Sequence, residues 1–361
     1  MKKLSILTLI APIAIISCVN DADIIDKTAT QIKDKSISFS PYVGASVKSQ
    51  GASVEALESG IMVYAFKTGE TTNSYFNGSY ATFSKPTGET LWISSPVYFW
   101  PQYALDFYGY YPPATFETLI KADSPTTFSY TVSDEASKQI DLVTAFAGDQ
   151  STETSVPMNF YHALSKVEFT VENYTGSGLT LKINSIGIRN ITNSGDFEIT
   201  KTQTIEGFYK VTPGTALTDS AISTLSTAVT VAAGATSSVL DSMYLMPQTL
   251  NLWAYSETQA YPLTGSYIII NGEISGNAQY TGEIAIPFTT TEWEPGYFYK
   301  YNIVFGDYAN SGSTSGGGGY NPNKPSTTPG DTDKPQKVLL PIKIDVSVEP
   351  WNDVNEPDII L

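Results

Sequence analysis

The residue types that could carry catalysis are scarce in this chain. One histidine, His162, and one cysteine, Cys18, occur in 361 residues. Nucleophilic catalysis of the Ser-His-Asp or Cys-His kind needs an imidazole beside its nucleophile. His162 lies in the apolar stretch Asn159-Phe160-Tyr161-His162-Ala163-Leu164, where a buried histidine hydrogen-bonded to backbone is the expected role. A zinc site draws on several Cys and His ligands, and the composition does not supply them. The 36 acids leave carboxylate-pair glycoside hydrolysis as the one hydrolytic chemistry open, yet no acid stands in a setting that marks it out. Asp331-Thr332-Asp333 looks like a calcium ligand pair but lacks the glycine and distal glutamate of an EF-hand loop. The chain is therefore expected to be no enzyme and to hold no metal or cofactor.

The remaining chemistry is that of Cys18. Met1-Lys2-Lys3 is followed by an uncharged run from Leu4 to Ile16, interrupted only by Ser5, Thr8 and Pro12. A basic start before a short apolar run reads as a secretory signal, too short to span a bilayer. It closes on Ile15-Ile16-Ser17-Cys18, which is similar to a bacterial lipobox. The expectation is a signal peptide over 1–17 and acyl chains on the thiol and new amine of Cys18. With its sole cysteine lipidated, the chain has no internal disulfide. Residues 18–35, polar and acidic with no aromatic ring, read as a flexible tether. Loss of Lys2 and Lys3 from the 20 basic residues leaves 18 against 36 acids, a charge of −18. Such a surface repels phosphate backbones, which excludes nucleic acid as a partner.

The elements that follow are β in texture. Apolar and polar residues alternate, as in half-buried strands, at Ile37-Ser38-Phe39, Val167–Val171, Leu179–Ile183, Ile284–Phe288 and, most regularly, Ile342–Glu349. Tyr174–Gly178, Asn193-Ser194-Gly195-Asp196 and Asn271-Gly272 read as turns between them. The best helical candidate, Pro213–Ser226, is diluted by Pro, Gly and Thr to a turn or two. This rhythm of short strands predicts an all-β fold of antiparallel sandwiches. A division is expected near residue 160, giving sandwiches over 36–160 and 161–361. Residues 309–336, rich in Gly, Ser and Pro, read as a disordered loop inside the second. Across that leash a final strand, Leu339–Val348, can dock at home or be lent to a neighbour.

Aromatic residues crowd between Trp92 and Tyr111. Rings on a strand usually pack inward; an exposed set would instead stack on sugars.

Five stretches carry a resemblance. Tyr98-Phe99-Trp100-Pro101 with Leu105-Asp106-Phe107-Tyr108-Gly109-Tyr110-Tyr111-Pro112 comes first, then Asp141–Ala145 leading to Met158–Val167. Tyr244–Gln248, Trp293–Tyr301 and Val348–Asp353 follow in order. Together, behind the lipobox, they resemble the fimbrillin family of the Bacteroides group over about residues 36–355. The resemblance implies two transthyretin-like antiparallel β-sandwich domains in tandem. It also implies a structural or adhesive subunit, or an accessory protein, of a type V-like bacterial fimbria. In that family stalk subunits lose an N-terminal segment and first strand to an arginine-specific protease, and the next subunit donates a strand to the groove. The implied partners are other fimbrial subunits and the outer membrane, reached through the lipid on Cys18, with surface ligands in addition. Ile342, Ile344, Val346 and Val348 have the alternation a donor strand needs. Asp219-Ser220-Ala221 and Asp241-Ser242-Met243 resemble the O-glycosylation signal of the same bacteria, making Ser220 and Ser242 candidate acceptors. One departure stands out: no arginine lies between Cys18 and Ile188, so arginine-directed maturation is not available at the usual place. The alternative reading is a non-polymerising, glycan-binding surface lipoprotein that uses the Trp92–Tyr111 rings.

Overall fold

A computed structural model describes residues 36–43, 57, 60–121, 124–151, 154–174, 176–204, 207–218, 221–254, 263–276, 279–306, 320–321, 336–337 and 342–350. The chain is nearly all β, with one short α-helix, Pro113–Leu119, among the described residues. That helix opens with proline at its first turn, where a missing N–H costs nothing, and buries Phe116.

The first half builds a seven-stranded sheet in the order Phe39–Val43, Val156–His162, Val143–Gln150, Leu105–Tyr111, Ile61–Lys67, Ala81–Ser84, Ile93–Ser94. The first of these strands runs parallel to Val156–His162; the other neighbours are antiparallel. On its other side Phe39 exchanges two backbone hydrogen bonds of 3.0 Å with Trp92, next to the far edge strand. The sheet therefore closes on itself, which removes its open edges. Ile37, Phe39, Val63, Ala65, Phe83, Trp92, Phe107, Met158 and Phe160 are among the buried residues of the enclosed core.

Ile61–Lys67 and Leu105–Tyr111 are buried on both faces. Val63, Ala65 and Phe107 join the enclosed core, whereas Met62, Tyr64, Phe66, Tyr108 and Tyr110 join a second cluster with Phe116, Phe128 and Phe197. Strands covered on both sides read as continuous apolar runs without alternation. The rings of Phe128 and Phe197 stack at 4.8 Å, from the strands Thr127–Thr131 and Ser194–Thr204, which pair antiparallel with Gly207–Pro213 alongside. This small sheet joins the two halves of the chain. The expected division at 160/161 falls inside the strand Val156–His162.

The second half is a sandwich. A six-stranded sheet orders Ala221–Ala232, Leu179–Arg189, Tyr267–Gly276, Tyr280–Pro287, Tyr320–Asn321 and Gln336–Lys337. A four-stranded sheet orders Thr236–Leu245, Ser165–Asn173, Tyr297–Phe305 and Ile342–Pro350. Their shared core includes Phe169, Leu181, Ile186, Ile268, Ile270, Tyr301 and Ile303.

Three local readings of the sequence change. Pro213–Ser226 holds no helix among its described residues: Ala221–Ala232 is a strand paired along Leu179–Arg189, in keeping with its β-branched Ile222, Thr224, Val229 and Val231. Asn271-Gly272 is not a turn but the middle of Tyr267–Gly276. It lies where the register slips past Asn184, and a Cβ on Gly272 would stand 2.3 Å from the Lys182 carbonyl oxygen. Ser194-Gly195-Asp196 begins a strand; the turn residue nearby is Asn190, at φ 58°. Most of 309–336 lies outside the described residues, although Tyr320–Asn321 extends the six-stranded sheet at Ala285.

Candidate functional site: the first strand and its groove

The feature with functional reach is the strand Phe39–Val43. Ile37 and Phe39 are buried, Phe39 completely, against Phe83 and Phe107 in edge-on ring contacts of 4.6 and 5.1 Å. The Val156 N–H donates to the Ser38 carbonyl at 2.8 Å, and the Ile37 N–H donates to the Tyr98 carbonyl at 2.7 Å. The strand is thus paired along both edges while its side chains fill the enclosed core. A segment so placed leaves an apolar groove with two unsatisfied backbone edges if withdrawn, and another extended strand can satisfy both. Ile37-Ser38-Phe39 was legible as a short strand; that it closes the barrel was not, because its partners lie more than 50 residues away.

The strand Ile342–Pro350 pairs over its full length with Tyr297–Phe305. Ile342 and Ile344 are buried in the core of the second sandwich, whereas Val346 and Val348 are 36% and 48% exposed. It is an edge strand of its sheet among the described residues. Its four alternating apolar residues therefore fall into two classes, two engaged at home and two left over.

Cys18 and Ser220 lie outside the described residues, as does Asp331-Thr332-Asp333. Ser242 lies in the strand Thr236–Leu245. His162 is buried, and its Nδ1 stands 3.0 Å from Asp141 Oδ2. A histidine–carboxylate pair is two parts of a hydrolytic triad, but with 1% of its side chain exposed this imidazole meets no substrate. Arg189 sits within a strand with Nη2 3.3 Å from Glu283 Oε1. No group of three or more His, Cys, Asp or Glu residues suited to a metal occurs among the described residues.

The most buried carboxylate among the described residues is Asp106, which is enclosed although Lys201 opposite is half exposed. Its carboxylate lies 2.6 Å from Lys201 Nζ and accepts hydrogen bonds from the Asp149 N–H at 2.9 Å and the Thr68 hydroxyl at 3.2 Å. Burial raises its pKa, but Lys201 and the backbone donors outweigh that and hold it below the usual carboxylate value. This contact ties the barrel to the strand Ser194–Thr204.

Of the Trp92–Tyr111 rings, Trp92, Phe107, Tyr108 and Tyr110 are core. Phe99 and Tyr103 are not; each is 43% exposed.

A sequence model described as fimbrillin-like matches residues 50–319. The chain belongs to the fimbrillin-like family. Among solved structures, a fimbrial protein from Bacteroides vulgatus is similar at 13% identity with a TM-score of 0.51, covering 88% of this chain and 99% of its own. A fimbrilin from Porphyromonas gingivalis W83 is similar at 12% identity with a TM-score of 0.44, covering 89% and 98%. No curated protein matches the chain. Membership makes this fimbrillin-like chain a structural or adhesion protein of cell-surface fimbriae, associated with other fimbrial subunits, and not an enzyme.

Proposed function

We propose that this fimbrillin-like protein assembles by strand donation. The groove now filled by Phe39–Val43 receives Ile342, Ile344, Val346 and Val348 from a neighbouring subunit. The observation that carries the reading is the double role of the first strand, which is both core and seam. A donor must bring alternating apolar residues and a long lead, and Ile342–Pro350 has both: 36 residues separate it from the end of the preceding long strand at Phe305. The subunit is organised as two tandem units, the boundary expected at 160/161 shifted to the end of the strand Val156–His162, with Cys18 as its lipid anchor in the outer membrane. Ser220 and Ser242 are its O-glycan acceptors.

Release of the groove needs a cut beyond Val43. Arginine is absent there, and of Lys33, Lys35 and Lys48 only Lys48 follows the strand. Cleavage after Lys33 or Lys35 would leave the groove filled. The chain is therefore an anchor or accessory subunit when its N-terminus is intact, and a stalk subunit when it begins past residue 43.

Intact-mass spectrometry of the protein from its native cells tests this. A diacylated or triacylated chain beginning at Cys18 is the anchor outcome; a chain beginning near Ser49 is the stalk outcome. A mass corresponding to a start at residues 34–36 in assembled fibres contradicts strand donation into this groove, since fibres would then form with the groove occupied.

A further inference from the structure

Among the described residues eight large hydrophobic side chains are exposed, and three of them, Val97, Phe99 and Tyr103, fall in one loop. A concentration of this kind, unlike a scattered exposed leucine, marks a surface that meets something. The loop lies at the end of the barrel where the first strand enters, with Ser36 bridged to Phe99.

Two further features say what it meets. The loop is held in place: the Tyr75 hydroxyl donates to the Phe99 carbonyl at 2.7 Å, Tyr98 packs on Phe76 at 4.7 Å, and Tyr75 and Tyr103 stand perpendicular at 6.4 Å. A loop whose backbone and Tyr103 ring are fixed before binding loses little freedom on contact. The described segments around the loop are also uncharged. Residues 36–43, 71–84 and 90–105, which these contacts bring together, contain no Asp, Glu, Lys or Arg in a chain that is 16% charged. Their polar groups are amides and hydroxyls: Asn77, whose Nδ2 donates to the Tyr98 hydroxyl at 3.3 Å, with Asn73, Ser79 and Gln102 in the same segments.

We infer that this aromatic ledge is a binding site for a neutral saccharide. A sugar ring presents apolar C–H faces to Phe99 and Tyr103 and hydroxyls to Asn77 and Tyr98. An anionic glycan meets no Lys or Arg in these described segments and is repelled by a mature chain of net charge −18. The site differs from an all-aromatic face over Trp92–Tyr111, since Trp92 and Phe107 are spent in the core. The loop borders the first strand through Ser36 and Ile37, so the test uses the chain that keeps that strand.

Affinity electrophoresis of the mature chain in gels carrying mannan, xylan, laminarin or amylose, with dextran sulfate as the anionic comparison, tests the site. Retardation is expected with at least one neutral polymer and not with dextran sulfate. Phe99→Ala and Tyr103→Ala should each weaken it about tenfold, the upper range for one aromatic contact. Asn77→Gly, which suits the φ of 56° at this position and removes the amide, should weaken it as well, and Ile140→Ala, exposed elsewhere, should not. Thermal melts establish that each variant is folded. No retardation by any neutral polymer overturns the inference, as does retardation that survives Phe99→Ala and Tyr103→Ala. If those variants instead change only sedimentation, the ledge is a contact between protein chains and the saccharide site is refuted.

Discussion

Phe39 and Trp92 exchange a reciprocal pair of 3.0 Å backbone hydrogen bonds, and that exchange turns a seven-stranded sheet into a closed barrel. On the opposite edge Phe39 is in register with Val156. There the Val156 N–H donates to the Ser38 carbonyl, so two consecutive residues seal the two sides of the seam, and the Phe39 side chain lies wholly inside.

Phe39→Ala is accordingly expected to destabilise the first half of the molecule by about 3–5 kcal/mol, the range for deleting a buried phenylalanine. Because closure depends on a terminal strand, the same region should accept that strand from outside. A chain beginning at Ser49 should show a lowered Tm that a peptide of residues 36–43 restores, and the same peptide carrying Phe39→Asp should not. Calorimetry with and without peptide reads this directly. A Ser49 chain as stable as the full one would show that the strand is dispensable.

Asp106 supplies a pH signature. Its folded pKa is depressed, so its contribution is fully present above the unfolded value of about 3.9 and is lost as pH falls through the lower folded value. Wild-type stability should therefore fall more steeply below about pH 4 than that of Asp106→Asn. At neutral pH Asp106→Asn should cost about 1–3 kcal/mol, since an amide cannot serve Lys201 together with the Asp149 N–H and the Thr68 hydroxyl. The two proteins should converge as the pH approaches the acid limit. Urea titrations across this range measure both slopes, and parallel curves would remove Asp106 from the linkage.

Gly109 makes room for the barrel core. A Cβ there would stand 2.4 Å from Met158 Cε and 2.9 Å from Phe160 Cζ. Overpacking by a methyl group costs about 1–3 kcal/mol when neighbours are fixed. Gly109→Ala should cost that much alone and less in the Met158→Ala background, where the tight contact is gone. Equal costs in both backgrounds would place the strain elsewhere.

Alternation exposed the strands whose opposite face meets water. Val167–Val171 read correctly because every second residue is partly solvated; Ile342–Glu349 read correctly as a strand too, although its burial alternates only as far as Ile344 and every residue from Asp345 on is exposed. It was silent for Ile61–Lys67, where Met62, Tyr64 and Phe66 meet one core while Val63 and Ala65 meet another. Turn chemistry misled at Gly272, since glycine serves a close backbone approach as readily as a bend. The aromatic stretch was rightly read as mainly core, but the two outward rings, Phe99 and Tyr103, have no local mark to separate them from Trp92 and Phe107. Which ring faces out depends on where Ser36 and Tyr75 arrive, and these come from distant segments.

The last strand gives the sharpest test of strand donation, because its four apolar residues are not equivalent at home. Ile344 is enclosed in the second sandwich, so Ile344→Asp buries a charge and should unfold that sheet, confounding any assay of assembly. Val346 and Val348 face solvent in the isolated subunit, and surface substitutions of this kind usually change stability by less than about 0.5 kcal/mol. In a donor bound in a neighbour's groove, the same two positions lie against apolar walls, where an aspartate is costly. Val346→Asp with Val348→Asp should leave the Tm of the monomer within about 2 °C while fibres disappear from electron micrographs. Fibres of normal length from this double variant would exclude these side chains from the groove. A large drop in monomer Tm would show instead that the outer half of the strand belongs to its own sandwich.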